Sequence, residues 1–172
     1  KEKLFAYGEG MSLQFGTILK IKELRVGLSY TTPTPIKIEE ENTQYIETKI
    51  IEDDLIKEYV IDPNTINFYE EYKLTLPSKS LFSIAYIFGG KGLISLDYEI
   101  TKYSNSKFDD NNGNDIYMKS LNNSIKNRFN GFSESIRIGG EYRIKDYSIR
   151  TGYNYYKGPD SAYENYRSGV SL

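Results

Sequence analysis

The 172-residue chain contains no cysteine, no histidine and no tryptophan, and only two methionines. Without cysteine there is no disulfide framework, no thiol nucleophile and no thiolate metal ligand; without histidine the commonest imidazole ligand and general base are gone as well. A zinc enzyme, a haem protein or a triad hydrolase is hard to assemble from what remains, so neither a cofactor nor catalysis is expected. Neither sign of charge dominates: 22 Lys and Arg face 24 Asp and Glu, for a formal charge of -2. The basic face that a nucleic-acid partner requires is therefore not expected. No stretch reaches about 18 consecutive apolar residues, so no transmembrane helix is predicted. The chain opens on "KEKLFAYGEG" with neither an initiator Met nor an export leader and ends on "RSGVSL". It is expected to be an excerpt of something longer, with any export signal upstream.

What is present is tyrosine, 17 residues of it, set in segments that alternate with period two, the period of a β-strand. "GMSLQFGTILK" puts Met11, Leu13, Phe15, Thr17 and Leu19 on one face. "LRVGLSY" follows with Leu24, Val26, Leu28 and Tyr30, and is expected to run on through "TTPTPIKIEE" as a projecting ribbon, with Pro33 and Pro35 at an edge or bulge. In "YKLTLPSKSLFSIAYIF" the even positions from Tyr72 to Phe88 keep phase across Pro77, which predicts one long strand bent at the proline. "GLISLDYEIT", "SESIRIGGEYRI", "YSIRTGYNYY" and the opening of "RSGVSL" complete seven strands. The links at 20–23, 89–92 and 145–146 are short, while those near 41–68, 106–131 and 158–165 are longer and polar. Short and long alternate, the layout of an up-and-down outer-membrane β-barrel with periplasmic turns and extracellular loops. A soluble β-sandwich remains the competing architecture, since tyrosine is a good strand former in either setting.

The non-greasy face favours the barrel. It carries Gly16, Gly27, Gly139 and Gly152 together with Arg25, Asp97, Glu99, Arg137, Glu141, Arg143 and Arg150. Opposite charges of this kind can pair across neighbouring strands in a polar lumen, and arginine suits partly desolvated carboxylate partners better than lysine. Asp97 and Glu99 share a strand face and could in principle do acid–base work; with several arginines nearby, an ion network is the expected role.

Four strings carry a resemblance: "LRVGLSYTTPTPIKIEE", "LTLPSKSLFSIAYIF", "GLISLDYEITKYSNSKF" and "SIRIGGEYRIKDYSIRTGYNYYKGPDSAYENYRSGVSL". In their order and spacing the chain resembles the FadL/TodX group, the long-chain fatty acid transporter family of Gram-negative outer membranes. The resemblance implies a fourteen-stranded barrel of which residues 1–172 supply about half, within one barrel domain. It also implies passive uptake of hydrophobic small molecules such as fatty acids or hydrocarbons, contact with outer-membrane lipid, and a monomeric full-length form. The family's N-terminal hatch and its kinked gating strand have no counterpart here. Family members labelled as secretion components or haemin receptors leave a non-transporting, surface-binding barrel as an alternative.

Two segments are candidates for capturing greasy solutes. "IYMKSLNNSIKNRF" sets Tyr117, Leu121, Ile125 and Phe129 at steps of four, the stripe of a short amphipathic helix. "YIETKIIEDDLIKEYV" clusters Ile50, Ile51, Leu55, Ile56 and Tyr59 on one face if it is helical. The two could wall a hydrophobic entrance, although helix 116–129 could equally pack on the rim for its own stability. "FDDNNGND" at 108–115 fails the spacing of a calcium loop, because aligning Gly113 with the obligatory turn puts Phe108 at the first ligand position. "GGKG" lies between strands, with no helix following, and is a turn rather than a phosphate cradle.

Overall fold

The computed structural model describes residues 2–52, 55–61, 65–110, 116–160, 162–163 and 165–172. Along them run β1 (Glu2–Gly10), β2 (Gln14–Ile21), β3 (Leu24–Thr31), β4 (Thr34–Gln44), β5 (Ile46–Glu52), β6 (Leu55–Ile61) and β7 (Ile66–Phe68). They are followed by β8 (Tyr72–Leu76), β9 (Lys79–Phe88), β10 (Gly92–Thr101), a 3-10 turn at Tyr103–Asn105 and β11 (Lys107–Asp110). Then come α1 (Ile116–Arg128), β12 (Ser133–Ile144), β13 (Tyr147–Lys157) and β14 (Tyr166–Ser171). The architecture is predominantly antiparallel β-sheet, in three sheets.

The largest sheet has seven strands in the order β2-β3-β9-β10-β12-β13-β14, a meander of the seven segments legible in the sequence. It is open. Its edges β2 and β14 do not pair with each other among the described residues, so no closed barrel is present. Tight reversals join β2 to β3, β9 to β10 and β12 to β13, all at one end. Each needs a left-handed residue to match the strand twist. Gly89 and Gly90 supply it at φ 54° and 70°, whereas Lys22 and Lys145 adopt φ 52° and 53° despite carrying a Cβ.

The second sheet, β1-β4-β8-β11 with β7 alongside β4, continues the first. β1 runs into β2, β3 into β4, β8 into β9 and β10 into β11. Two of the breaks carry Pro33 and Pro77, which have no N–H to give to a ladder. Thr32 bridges a third, at 11–13: its N–H donates to Leu13 O (2.9 Å) and its Oγ1 accepts the Leu13 N–H (3.0 Å). The expected ribbon beyond Tyr30 is found as β4, whereas the single strand expected over 72–88 is divided at Pro77 into β8 of the second sheet and β9 of the first, because the proline has no N–H for the ladder. Pro35 sits within β4, just past the last β1 pair, Gly10↔Ile36.

The helical reading of 45–60 is corrected. That stretch forms the β5–β6 hairpin, paired from Ile46↔Ile61 to Glu52↔Leu55. Ile46, Thr48, Ile50, Ile51, Ile56, Val60 and Ile61 are β-branched, and their stiff χ1 favours extended backbone over a helix.

Among the described residues no aliphatic or aromatic side chain is buried apart from the proline ring of Pro77. On one face of the seven-stranded sheet the register aligns Leu19, Val26, Ile84, Leu96, Ile138, Tyr153 and Val170 in a single row. Among the described residues no second sheet packs over it: the substantial contacts between elements are those of hydrogen-bonded neighbours, plus α1 on β11 and on the 3-10 turn. Ile94 remains 51% exposed and Ile138 43%.

Candidate functional site

The opposite face of the same sheet is polar, and its residues are set by the same register. One row reads Lys20, Arg25, Ala85, Ser95, Gly139, Gly152, Ser171, and the next Ile18, Gly27, Ser83, Asp97, Arg137, Asn154, Gly169. Small residues leave a hollow of about 610 Å³ across β2, β3, β9 and β10, with Ile18, Leu81, Arg25 and Asp97 among its lining. The strands approach closely enough that side chains would crowd. A Cβ on Gly27 would lie 3.3 Å from Ser83 Cβ, and one on Gly139 3.2 Å from Ser95 Oγ.

The expected lumen charges form two clusters and one outlier. Arg137, directly opposite Asp97 on the neighbouring strand, lies 3.9 Å from its Oδ2 and 3.4 Å from Glu99 Oε2. Glu141 accepts from Arg143 Nε at 2.6 Å and Arg150 Nε at 2.9 Å. The Glu141 side chain is 14% exposed, covered by the two arginines, which themselves reach into solvent. Pairs with exposed members are largely screened by solvent; they order the face more than they stabilise it. Arg25 stands apart, its Nη1 donating to the carbonyls of Lys22 and Leu24. Asp97 and Glu99 share Arg137, an arrangement for charge neutralisation.

The loop candidates separate. α1 lays Met118, Leu121, Asn122, Ile125 and Phe129 inward, half-buried, and leaves Tyr117 69% exposed. The decisive residue is the polar one. Asn122 Oδ1 accepts the Phe108 N–H (2.8 Å) and its Nδ2 donates to Phe108 O (2.7 Å), so a side-chain amide completes the outer edge of β11 as another strand would. The helix thus packs on β11 through Asn122, which was missed because a polar residue inside an apolar stripe gives no periodic signal. Replacing Asn122 with Leu strands both Phe108 groups and is expected to cost about 1–3 kcal/mol, measured as a lower thermal midpoint with faster amide exchange confined to 107–110.

Arg128 ties the helix to the β13–β14 loop, its Nε and Nη2 each 2.9 Å from Asp160 Oδ2. The Ala162 N–H and this guanidinium hold the Asp160 carboxyl below the usual carboxylate range. Hairpin β5–β6 exposes Ile51 (74%), Ile56 (71%) and Tyr59, and its substantial contacts are between its own two strands. α1 has its substantial contacts with β11 and the 3-10 turn, so the two segments share no substantial contact among the described residues. The side chain of Leu55 lies outside the described residues. Of the acidic stretch, Phe108–Asp110 belong to β11 and 111–115 lie outside the described residues. No group of three or more acidic side chains suited to a metal ion occurs among the described residues.

In the extension, the Tyr72 hydroxyl donates to Glu40 Oε1 (2.7 Å), and the ring lies 5.9 Å from that of Phe108. Burial and then the Glu40 carboxylate push the phenol up to about 12.

No family model, curated protein or solved structure matches the chain.

Proposed function

We propose that the chain forms part of the wall of an outer-membrane β-barrel that admits hydrophobic small molecules such as long-chain fatty acids or hydrocarbons. The observation that carries this reading is the continuous apolar row, and the apolar residues around it, with no second layer packed over them among the described residues. Left in water, each large apolar side chain forgoes roughly 1.5–3 kcal/mol of burial, a loss too great across seven strands for a domain of ordinary stability. Hydrocarbon removes that penalty.

The dimensions agree. β9 and β10 have ten residues each, β12 twelve and β13 eleven, against the roughly 9–11 tilted residues a bilayer core requires. On the apolar face Tyr86, Tyr142 and Tyr147 stand toward the tight turns and Tyr30, Tyr98, Tyr155 and Tyr166 toward the loops, the placement of interfacial aromatic girdles. In this reading the seven strands are half of a fourteen-stranded wall, the extension projects outside the cell, and the polar face lines the passage. Apolar solutes would collect on exposed loop groups such as Ile51, Ile56 and Tyr117 before entering a channel floored by glycine, serine and alanine. No proton transfer or bond-making step is involved.

The cysteine-free sequence makes a direct test possible. Ser95→Cys and Ile94→Cys place a thiol on adjacent residues of opposite faces. In whole cells a bulky membrane-impermeant maleimide should modify the first and spare the second, and modification should slow uptake of radiolabelled oleate. Equal labelling of both, or oleate uptake indifferent to deletion of the gene, would overturn the proposal. A second reading, a surface-binding barrel that transports nothing, is favoured by the apolar exposure of the β5–β6 hairpin. It would be marked by labelling confined to Ser95→Cys with no effect on uptake.

A further inference from the structure

We propose that a groove in the extension sheet binds a small organic cation, an ammonium bearing methyl or alkyl groups. The register builds it. Glu41 on β4 lies directly opposite Phe5 on β1 and directly opposite Phe68 on β7, so the carboxylate stands between two aromatic residues in one row across three strands. Two residues back along the same strand face, Glu39 is opposite Tyr7. The irregular segment between β7 and β8 brings in Tyr69, whose N–H donates to Glu40 O at 3.0 Å. These side chains line a groove of about 500 Å³.

Charge complementarity selects the occupant. The face of an aromatic ring and a carboxylate both attract positive charge, and together in a concave site they repel anions and give a neutral solute only contact area. The neighbouring cation Lys37 is already held by Glu71 at 2.8 Å, which raises its affinity for its proton and neutralises it locally. Glu41 joins no ion pair among the described residues. Phe5 and Phe68 are 56% and 76% exposed, so their ring area is available to a ligand rather than spent on the fold. A bare divalent ion fits less well: it requires six or more oxygen ligands, and no cluster of three acidic side chains converges here among the described residues. An alkylammonium satisfies both halves of the site, its methyl groups against the rings and its charge beside Glu41 and Glu39.

The site is independent of the membrane reading, and its test does not involve transport. Titrating the purified protein with tetramethylammonium and choline, followed by calorimetry and saturation-transfer NMR, should give saturable binding. The neutral carbon analogue of choline, 3,3-dimethylbutanol, should bind roughly tenfold more weakly. Glu41→Gln, which keeps the shape, and Phe68→Leu, which keeps apolar bulk, should each weaken tetramethylammonium about fivefold, while Lys145→Gln at a distant turn should not. Equal binding of the neutral analogue would reduce the groove to a greasy cleft, and absence of saturation or indifference to both variants would remove the site. Binding of an arginine-rich peptide without any response to tetramethylammonium would also overturn the proposal, by making the groove a protein-docking surface.

Discussion

Arginine in place of Ile138 is expected to weaken folding into lipid by about 2–4 kcal/mol, the cost of a cation near the midplane of a barrel wall. Ile138 sits in the middle of the unbroken apolar row, between Leu96 and Tyr153. At about 1.4 kcal/mol per decade, the folded-to-unfolded ratio in vesicles should fall by one to nearly three orders of magnitude. The control is Ser83→Arg, on the other face of the sheet and directly opposite Asp97, which should change the ratio by less than about 0.5 kcal/mol. The sign discriminates between solvents. In water an exposed isoleucine replaced by arginine improves solubility and leaves stability nearly untouched, so a neutral Ile138→Arg would mean that this face does not meet hydrocarbon. Circular dichroism after dilution from urea into vesicles reads the ratio.

Gly92→Val is expected to be the most damaging single change that leaves charge alone. A Cβ at Gly92 would lie 2.5 Å from the Glu141 carbonyl oxygen and 2.6 Å from a Phe88 ring carbon. The ring could turn, but the carbonyl belongs to the facing strand and cannot retreat without opening the β10–β12 ladder where Gly92 pairs with Tyr142. Overpacking of this kind costs about 1–3 kcal/mol, and valine adds bulk beyond the Cβ. Gly140→Ala is the counterpart: its nearest neighbour, Leu93 O, is 3.8 Å away, so a shift below about 0.5 kcal/mol is expected. Thermal unfolding of the two variants side by side separates the local clash from any general intolerance of glycine replacement in these strands.

The seven-stranded meander was legible because its strands alternate cleanly and its turns are marked by Gly89-Gly90 and by charged dipeptides. The extension was only half legible. In "PIKIEEENTQ" three consecutive glutamates hide the alternation after Ile38, and β11 is too short to show any, so β4 was anticipated as a ribbon whereas its partners β1, β8 and β11 were not seen as a separate sheet. The β5–β6 hairpin misled because Ile50-Ile51 and Leu55-Ile56 put apolar pairs where either a helix or a strand can place them, and only β-branching argues for the strand. Alternation alone put the charged residues on one polar face; which of them pair depends on register. Arg25 fell outside them because its position at the β2–β3 turn offers backbone carbonyls before any carboxylate. Asn122 and the Phe5-Glu41-Phe68 row depend on strand register, which a single chain read in order does not display.

The row from Ala85 to Ser171 contributes almost no side-chain volume. If the sheet forms the wall proposed above, a passage bounded by this row would take its calibre from the curvature of the main chain, and a solute sliding along it would meet amide edges and hydroxyls instead of a bulky constriction.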